Sequence, residues 1–109
     1  MSASFKLQII TPEITVFEGA VESVTVPGTA GSMGILANHA PIIAALDIGI
    51  LKFDLSGAMN YYVIGNGMLT VDSGSTIVMA EIVIAAVDLA DASEKLDILK
   101  QEQKSLFIA

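Results

Sequence analysis

Ala20-Val-Glu-Ser-Val-Thr-Val-Pro-Gly-Thr-Ala-Gly-Ser-Met-Gly-Ile-Leu36 reads as strand, turn, strand. Val21, Val24 and Val26 make a β-branched run, which favours a pleated, half-buried strand over residues 20–26. Pro27-Gly28 ends it, since proline withholds a backbone donor and glycine accepts turn geometry. A second strand is expected over residues 32–36. The glycines Gly28, Gly31 and Gly34 recur at every third position. A phosphate-cradling loop needs a different spacing and a helix directly after it. Turn formation is therefore the role expected of Pro27, Gly28 and Gly34, and of Pro41 just beyond.

Outward from this stretch the punctuation continues. Phe5, Leu7 and Ile9 alternate with Lys6 and Gln8, the period of a half-buried strand. Further strands are expected over residues 42–46, 49–55, 60–64, 68–71 and 75–84. Their spacing suggests an antiparallel sandwich or barrel. Ser56-Gly57-Ala58 and Asp72-Ser73-Gly74 have hairpin-turn composition. Gly65-Asn66-Gly67 is expected to be a tight bend that wants residues tolerant of positive φ. At Asp88 the pattern changes. No glycine or proline occurs over residues 88–103, and Leu89, Ala92, Leu96 and Leu99 recur at helical spacing. Asp88 suits the N-cap and Asp91 the first turn, where negative charge is favoured. Two segments follow: a β domain over residues 1–87 and a short helical segment over residues 88–109. The helix is expected to run about four turns, with the apolar residues 105–109 frayed or docked on a neighbour.

Composition narrows the function. Of 109 residues, 53% are apolar and 16% charged, which excludes a disordered chain. The net charge is −7, and all five basic residues are lysines, so a nucleic-acid footprint and an anionic membrane surface are both disfavoured. The most apolar window, residues 35–51, is broken by Asn38, His39, Pro41, Asp47 and Gly49, so no membrane-inserted segment is expected. The first six residues lack the pattern of a signal peptide. The apolar excess must then lie in a dense interior or on a partner-facing surface.

Chemistry has few candidates. Cysteine is absent, which removes thiolate nucleophiles and thiolate metal sites. His39 is the lone histidine, set between Asn38 and Pro41 in a turn. Glu13, Glu18 and Glu22 read as the solvated side of the first hairpin, and Asp47, Asp54 and Asp72 are scattered among strands. No catalytic, cofactor-binding or metal-ligating residue is expected, and no cofactor.

The stretch Val26-Pro-Gly-Thr-Ala-Gly-Ser-Met-Gly-Ile-Leu36, then Asn38-His-Ala-Pro41 and Asp47-Ile-Gly-Ile-Leu51, closely resembles the epsilon subunit of F-type ATP synthases, called delta in mitochondria. Ile10-Thr-Pro-Glu13 and Val16-Phe-Glu-Gly19 support the match, and Gly65 and Gly67 resemble the family's glycine pair with Asn66 between them. The resemblance covers about residues 5–92. It implies a mainly β fold, an antiparallel β-sandwich of about ten strands followed by one short C-terminal α-helix. It also implies a non-catalytic place in the central rotor stalk, where the sandwich grips the gamma subunit and meets the c-ring, coupling ion flow to ATP synthesis. The beta subunit is a further expected partner, through the helix. The location implied is peripheral, on the cytoplasmic, stromal or matrix face of an energy-transducing membrane. Ala30, Gly31, Ser32, Met33, Asn38 and His39 match the end that faces the c-ring, though Ser32 stands where the family often has an acidic residue.

Two departures bear on regulation. The family's tail is commonly a helix-turn-helix, longer than the 22 residues after Val87, so inhibition of ATP hydrolysis is expected to be weak or absent. Where some members carry an arginine that supports ATP binding, Val87-Asp-Leu-Ala-Asp-Ala92 has Asp91, a carboxylate that repels triphosphate. The competing expectation is a free-standing β-sandwich that binds a protein partner.

Overall fold

The computed structural model describes the backbone of residues 3–108 and the side chains of residues 3–104. Alternation of apolar and polar residues becomes strand after strand. These are β1 (Phe5–Ile10), β2 (Thr15–Val21), β3 (Ser23–Gly28), β4 (Gly31–Leu36), β5 (Ile42–Leu46), β6 (Gly49–Leu55), β7 (Ala58–Ile64), β8 (Gly67–Asp72), β9 (Ser75–Ala80) and β10 (Val83–Ala86). Helix α1 (Leu89–Ile108) follows. The strands hydrogen-bond in the order β10-β7-β6-β3-β5-β8-β9-β1-β2, with β4 paired to the other edge of β3. The strands wrap into a sandwich close to a barrel, with one core inside.

That core follows the alternation read from sequence. Leu7, Ile9, Val24, Val26, Ile35, Leu51, Phe53, Leu69 and Val78 all point inward and are almost wholly buried. Phe53 packs between Phe17, at a ring-centroid distance of 4.5 Å, and Tyr62, stacked at 5.9 Å. A second cluster lies outside the sandwich. Val63 on β7 packs with Ala92 and Leu99 of α1, and Ile50, Ile84 and Leu96 surround them.

Four local readings change. Residues 20–26 are not one strand: the chain bends at Glu22, whose N–H donates to the Asp54 carbonyl at 2.9 Å, and β2 ends where β3 begins. The run 75–84 likewise divides at Glu81, where β9 gives way to β10. One pairing is parallel, β1 beside β9, while the other pairings of the described residues are antiparallel. The helix continues to Ile108 instead of stopping near residue 103. The docking or fraying expected of residues 105–109 concerns side chains outside the described residues.

The glycines divide by physical role. Ser56 and Gly57 have φ of 53° and 86°, as a two-residue hairpin between right-twisted strands requires. Gly65, Asn66 and Gly67, expected to need positive φ, do not have it. Gly67 is glycine because β9 is too close: a Cβ there would collide with the carbonyl of Met79 and sit 3.0 Å from the Ala80 Cα.

Candidate functional site

The sandwich has two outward faces, and α1 covers only one. Its first turn is anchored locally. Asp88 caps the helix, its Oδ1 accepting from the Asp91 N–H at 2.8 Å. Asp91 Oδ2 accepts from the Val87 N–H at 2.9 Å and pairs with Lys95 at 3.0 Å. Lys95 Nζ also donates to the Ala85 carbonyl at 2.9 Å, which ties helix to β10. The Val87 hydrogen bond, with help from Lys95, holds the Asp91 carboxyl below its ordinary range. From this anchor α1 lies across β10, β7 and β6.

The other outward face, formed by β5, β8, β9 and β1, carries no covering element among the described residues. Register places Ala45, Met68, Met79 and Ile10 in one row across the four strands. Ile43, Thr70, Ile77 and Gln8 form the adjoining row. Ile43 is 72% exposed, Met79 49% and Met68 46%. These side chains leave apolar surface exposed on a water-facing sheet. The face becomes polar toward β2, where Lys6 pairs with Glu18 at 3.2 Å and Gln8 donates to the same carboxylate at 3.1 Å. These two neighbours hold the Glu18 carboxyl below its ordinary range. At one end the apolar rows open into a groove of about 640 Å³, lined by Ile10, Pro12, Met68, Met79, Ala80 and Glu81 among others. No single residue in these strands marked this face in the sequence; it exists because four strands align their outward positions.

The residues expected to face one partner surface do not lie together. Ala30 belongs to the β3–β4 turn, and Gly31, Ser32 and Met33 begin β4. Asn38 and His39 follow β4, with Asn38 at φ 66° and His39 Nδ1 2.6 Å from the Ala40 carbonyl oxygen. Residues 34–37, the second half of β4 and Ala37, separate Met33 from Asn38. Ala30 and Gly31 thus lie at one end of β4, and Asn38 and His39 beyond the other. Among the expected turn formers, Pro27 and Gly28 are the last residues of β3, opposite Ser32 and Gly31. The bend itself falls on Thr29 and Ala30, helped by Gly31 at φ 127°. Gly34 lies within β4 opposite Thr25, not in a turn. Pro41 stands directly before β5.

Among the described residues no three His, Asp or Glu side chains converge as metal ligands would. Asp47 Oδ1 and Asp72 Oδ1 each accept from the next residue's N–H, and Asp54 Oδ1 accepts from the Gly57 N–H, so these carboxylates shape turns.

Comparison with known proteins gives a consistent result. The family described as "ATP synthase, Delta/Epsilon chain, beta-sandwich domain" matches residues 4–86. An ATP synthase epsilon chain of Rhodopseudomonas palustris (strain HaA2) is 33% identical over 102 residues, 92% of this chain and 76% of that protein. One from Carboxydothermus hydrogenoformans is 33% identical over 103 residues, 94% of this chain and 72% of its own length. Among solved structures, a chain of the Euglena gracilis mitochondrial ATP synthase superposes with a TM-score of 0.76 at 24% identity, covering 96% of this chain and 66% of that one. A chain of the Tetrahymena thermophila mitochondrial ATP synthase central stalk and c-ring gives a TM-score of 0.66 at 12% identity, covering 96% and 92%. At these identities the structural matches speak to fold.

Proposed function

The chain belongs to the delta/epsilon family of ATP synthase subunits, and on that premise we propose that it is a non-catalytic subunit of the central stalk of a rotary ATP synthase. It docks on the gamma subunit through the bare face of β5, β8, β9 and β1. The single observation that carries this is the asymmetry between faces. The outward side of β6, β7 and β10 is occupied by α1, whereas Ile43, Met68 and Met79 leave an apolar surface exposed. A permanent subunit interface has the composition of a core cut in half.

Only one end of the sandwich can meet the c-ring. The β3–β4 turn fits that contact better: Ala30, Gly31 and Ser32 are exposed and lie at the same end as the groove beside Met68. Asn38 and His39, at the far end, are then assigned to turn geometry. Contact with the beta subunit is left to α1, along which Leu89 and Ile98 are each about half exposed. No helix among the described residues is long and apolar enough to cross a membrane, and membrane association through the c-ring is peripheral in this reading. Nucleotide sensing by α1 is absent, because Asp91 is already engaged with Val87 and Lys95 and adds negative charge.

Ile43→Lys tests the docking assignment. The exposed position predicts a stability change within about 0.5 kcal/mol, with gamma affinity lowered at least about tenfold. Retained affinity rejects the face. ATP hydrolysis by a reconstituted gamma and catalytic head, with and without this chain, tests the role itself; unchanged assembly and coupling reject it. The alternative, a free-standing binding module, predicts no co-purification with gamma.

A further inference from the structure

Four methionines lie among residues 3–104, and they differ in setting. Met33 is half-buried and packs on the core, within 3.3 Å of where a Cβ on Gly28 would stand. Met59 is exposed on β7, opposite Asp54 and away from the bare face. Met68 and Met79 face each other across β8 and β9 as register partners, each nearly half exposed, and both line the groove that ends the apolar rows. Their thioethers are the only readily oxidised groups in that part of the surface among the described residues, since the chain has no cysteine.

We propose that Met68 and Met79 are a paired oxidation site, and that their conversion to sulfoxides blocks docking on the β5-β8-β9-β1 face; this rests on the assignment of that face to the gamma subunit. The oxidant is a peroxide. Its O–O bond breaks, one oxygen bonds to Sδ, and the sulfur gives up two electrons. The second oxygen, reduced, leaves as water. Each thioether thereby gains a strongly polar S–O group in the middle of an apolar row. On docking, that oxygen would be desolvated against apolar partner surface, a penalty no new hydrogen bond is placed to offset. Two adjacent sulfoxides act on one patch, so their effects fall together at the groove end of the face. Once the partner covers the face, both sulfur atoms are shielded. Oxidation therefore controls entry into the complex and does not drive release from it. Methionine sulfoxide reductases reverse the change.

The test treats the full chain with hydrogen peroxide, maps oxygen addition by mass spectrometry and measures gamma binding before and after. Met68 and Met79 should gain oxygen ahead of Met33, and affinity should fall about tenfold or more, with recovery after sulfoxide reductase treatment. Met59→Leu should lose as much as the parent chain. Met68→Leu/Met79→Leu, compared with its own untreated sample, should lose less than about twofold. If that double variant does not bind, the parent chain before oxidation, after oxidation and after repair still decides the outcome. Unchanged affinity with both methionines oxidised overturns the proposal, as does an equal loss in the double variant. So does oxidation of both methionines in the preassembled complex. Failure of the untreated chain to bind gamma overturns the docking assignment itself, a result distinct from binding that ignores peroxide.

Discussion

Glycine and aspartate carry two of the clearest residue-level constraints, and both were half legible. Gly67 reads from sequence as a bend residue, but its requirement is space: the β9 backbone occupies the volume a side chain would take. Gly67→Ala should destabilise by about 3 kcal/mol, since backbone cannot yield as a flexible side chain can. Gly34→Ala should be neutral or mildly stabilising, because a Cβ there meets nothing within 4 Å. Urea midpoints of the two variants check the contrast, and equal values would contradict the close-approach account. Asp91 is legible as a first-turn acid, yet its link to Val87 and Lys95 is tertiary detail. Its folded pKa lies below the ordinary carboxylate value, chiefly through the Val87 hydrogen bond. Its contribution is therefore complete above that value and is lost as pH falls through the lower folded one. Amide protection in the first turn of α1, taken against intrinsic exchange at each pH, should fall in that acidic window, and Asp91→Asn should weaken this dependence.

At the scale of elements, strand existence was legible and strand division was not. The period-2 pattern of β1, β6 and β8 leaves little choice, because a one-residue slip would turn Leu7, Leu51 or Leu69 to solvent. The breaks at Glu22 and Glu81 carry no glycine or proline. They occur because β2 and β3, and β9 and β10, belong to different parts of the sheet, which only pairing partners reveal. The sequence does not announce β2, since its inward residues include Gly19, whose missing side chain hides the alternation. The spacing of Leu89, Ala92, Leu96 and Leu99 announces helix α1, and two of these four, Ala92 and Leu99, make the contact with Val63 that leaves them buried. Leu99→Ala should cost about 2–5 kcal/mol of the helix–sandwich contact, whereas the exposed Ile98→Ala should change it by less than about 0.5 kcal/mol. Hydrogen exchange along α1, compared with exchange in β8, separates loss of docking from global unfolding. Equal protection in both variants would argue against the second cluster as the anchor.

For the whole molecule the decisive relation is between faces and ends. A chain without cysteine allows single-cysteine variants to be read without background. Ser32→Cys and Asn38→Cys stand at opposite ends of β4, both exposed, so in an assembled complex only Ser32→Cys should cross-link to the c-ring. Cross-linking from Asn38→Cys alone would invert the orientation. By itself the sequence determined the β class, the terminal helix, the inward-facing residues and the family, because alternation, turn chemistry and ordered motifs are local properties of the chain. Which outward face is left bare, which loops share an end, and which methionines meet were decided by the tertiary structure. Those depend on pairing between strands distant in sequence, such as β1 with β9 and β5 with β8, and on where α1 settles. Hydrophobic burial names the residues that must go inside; hydrogen-bond register and helix docking choose which of the remaining apolar residues stay outside together.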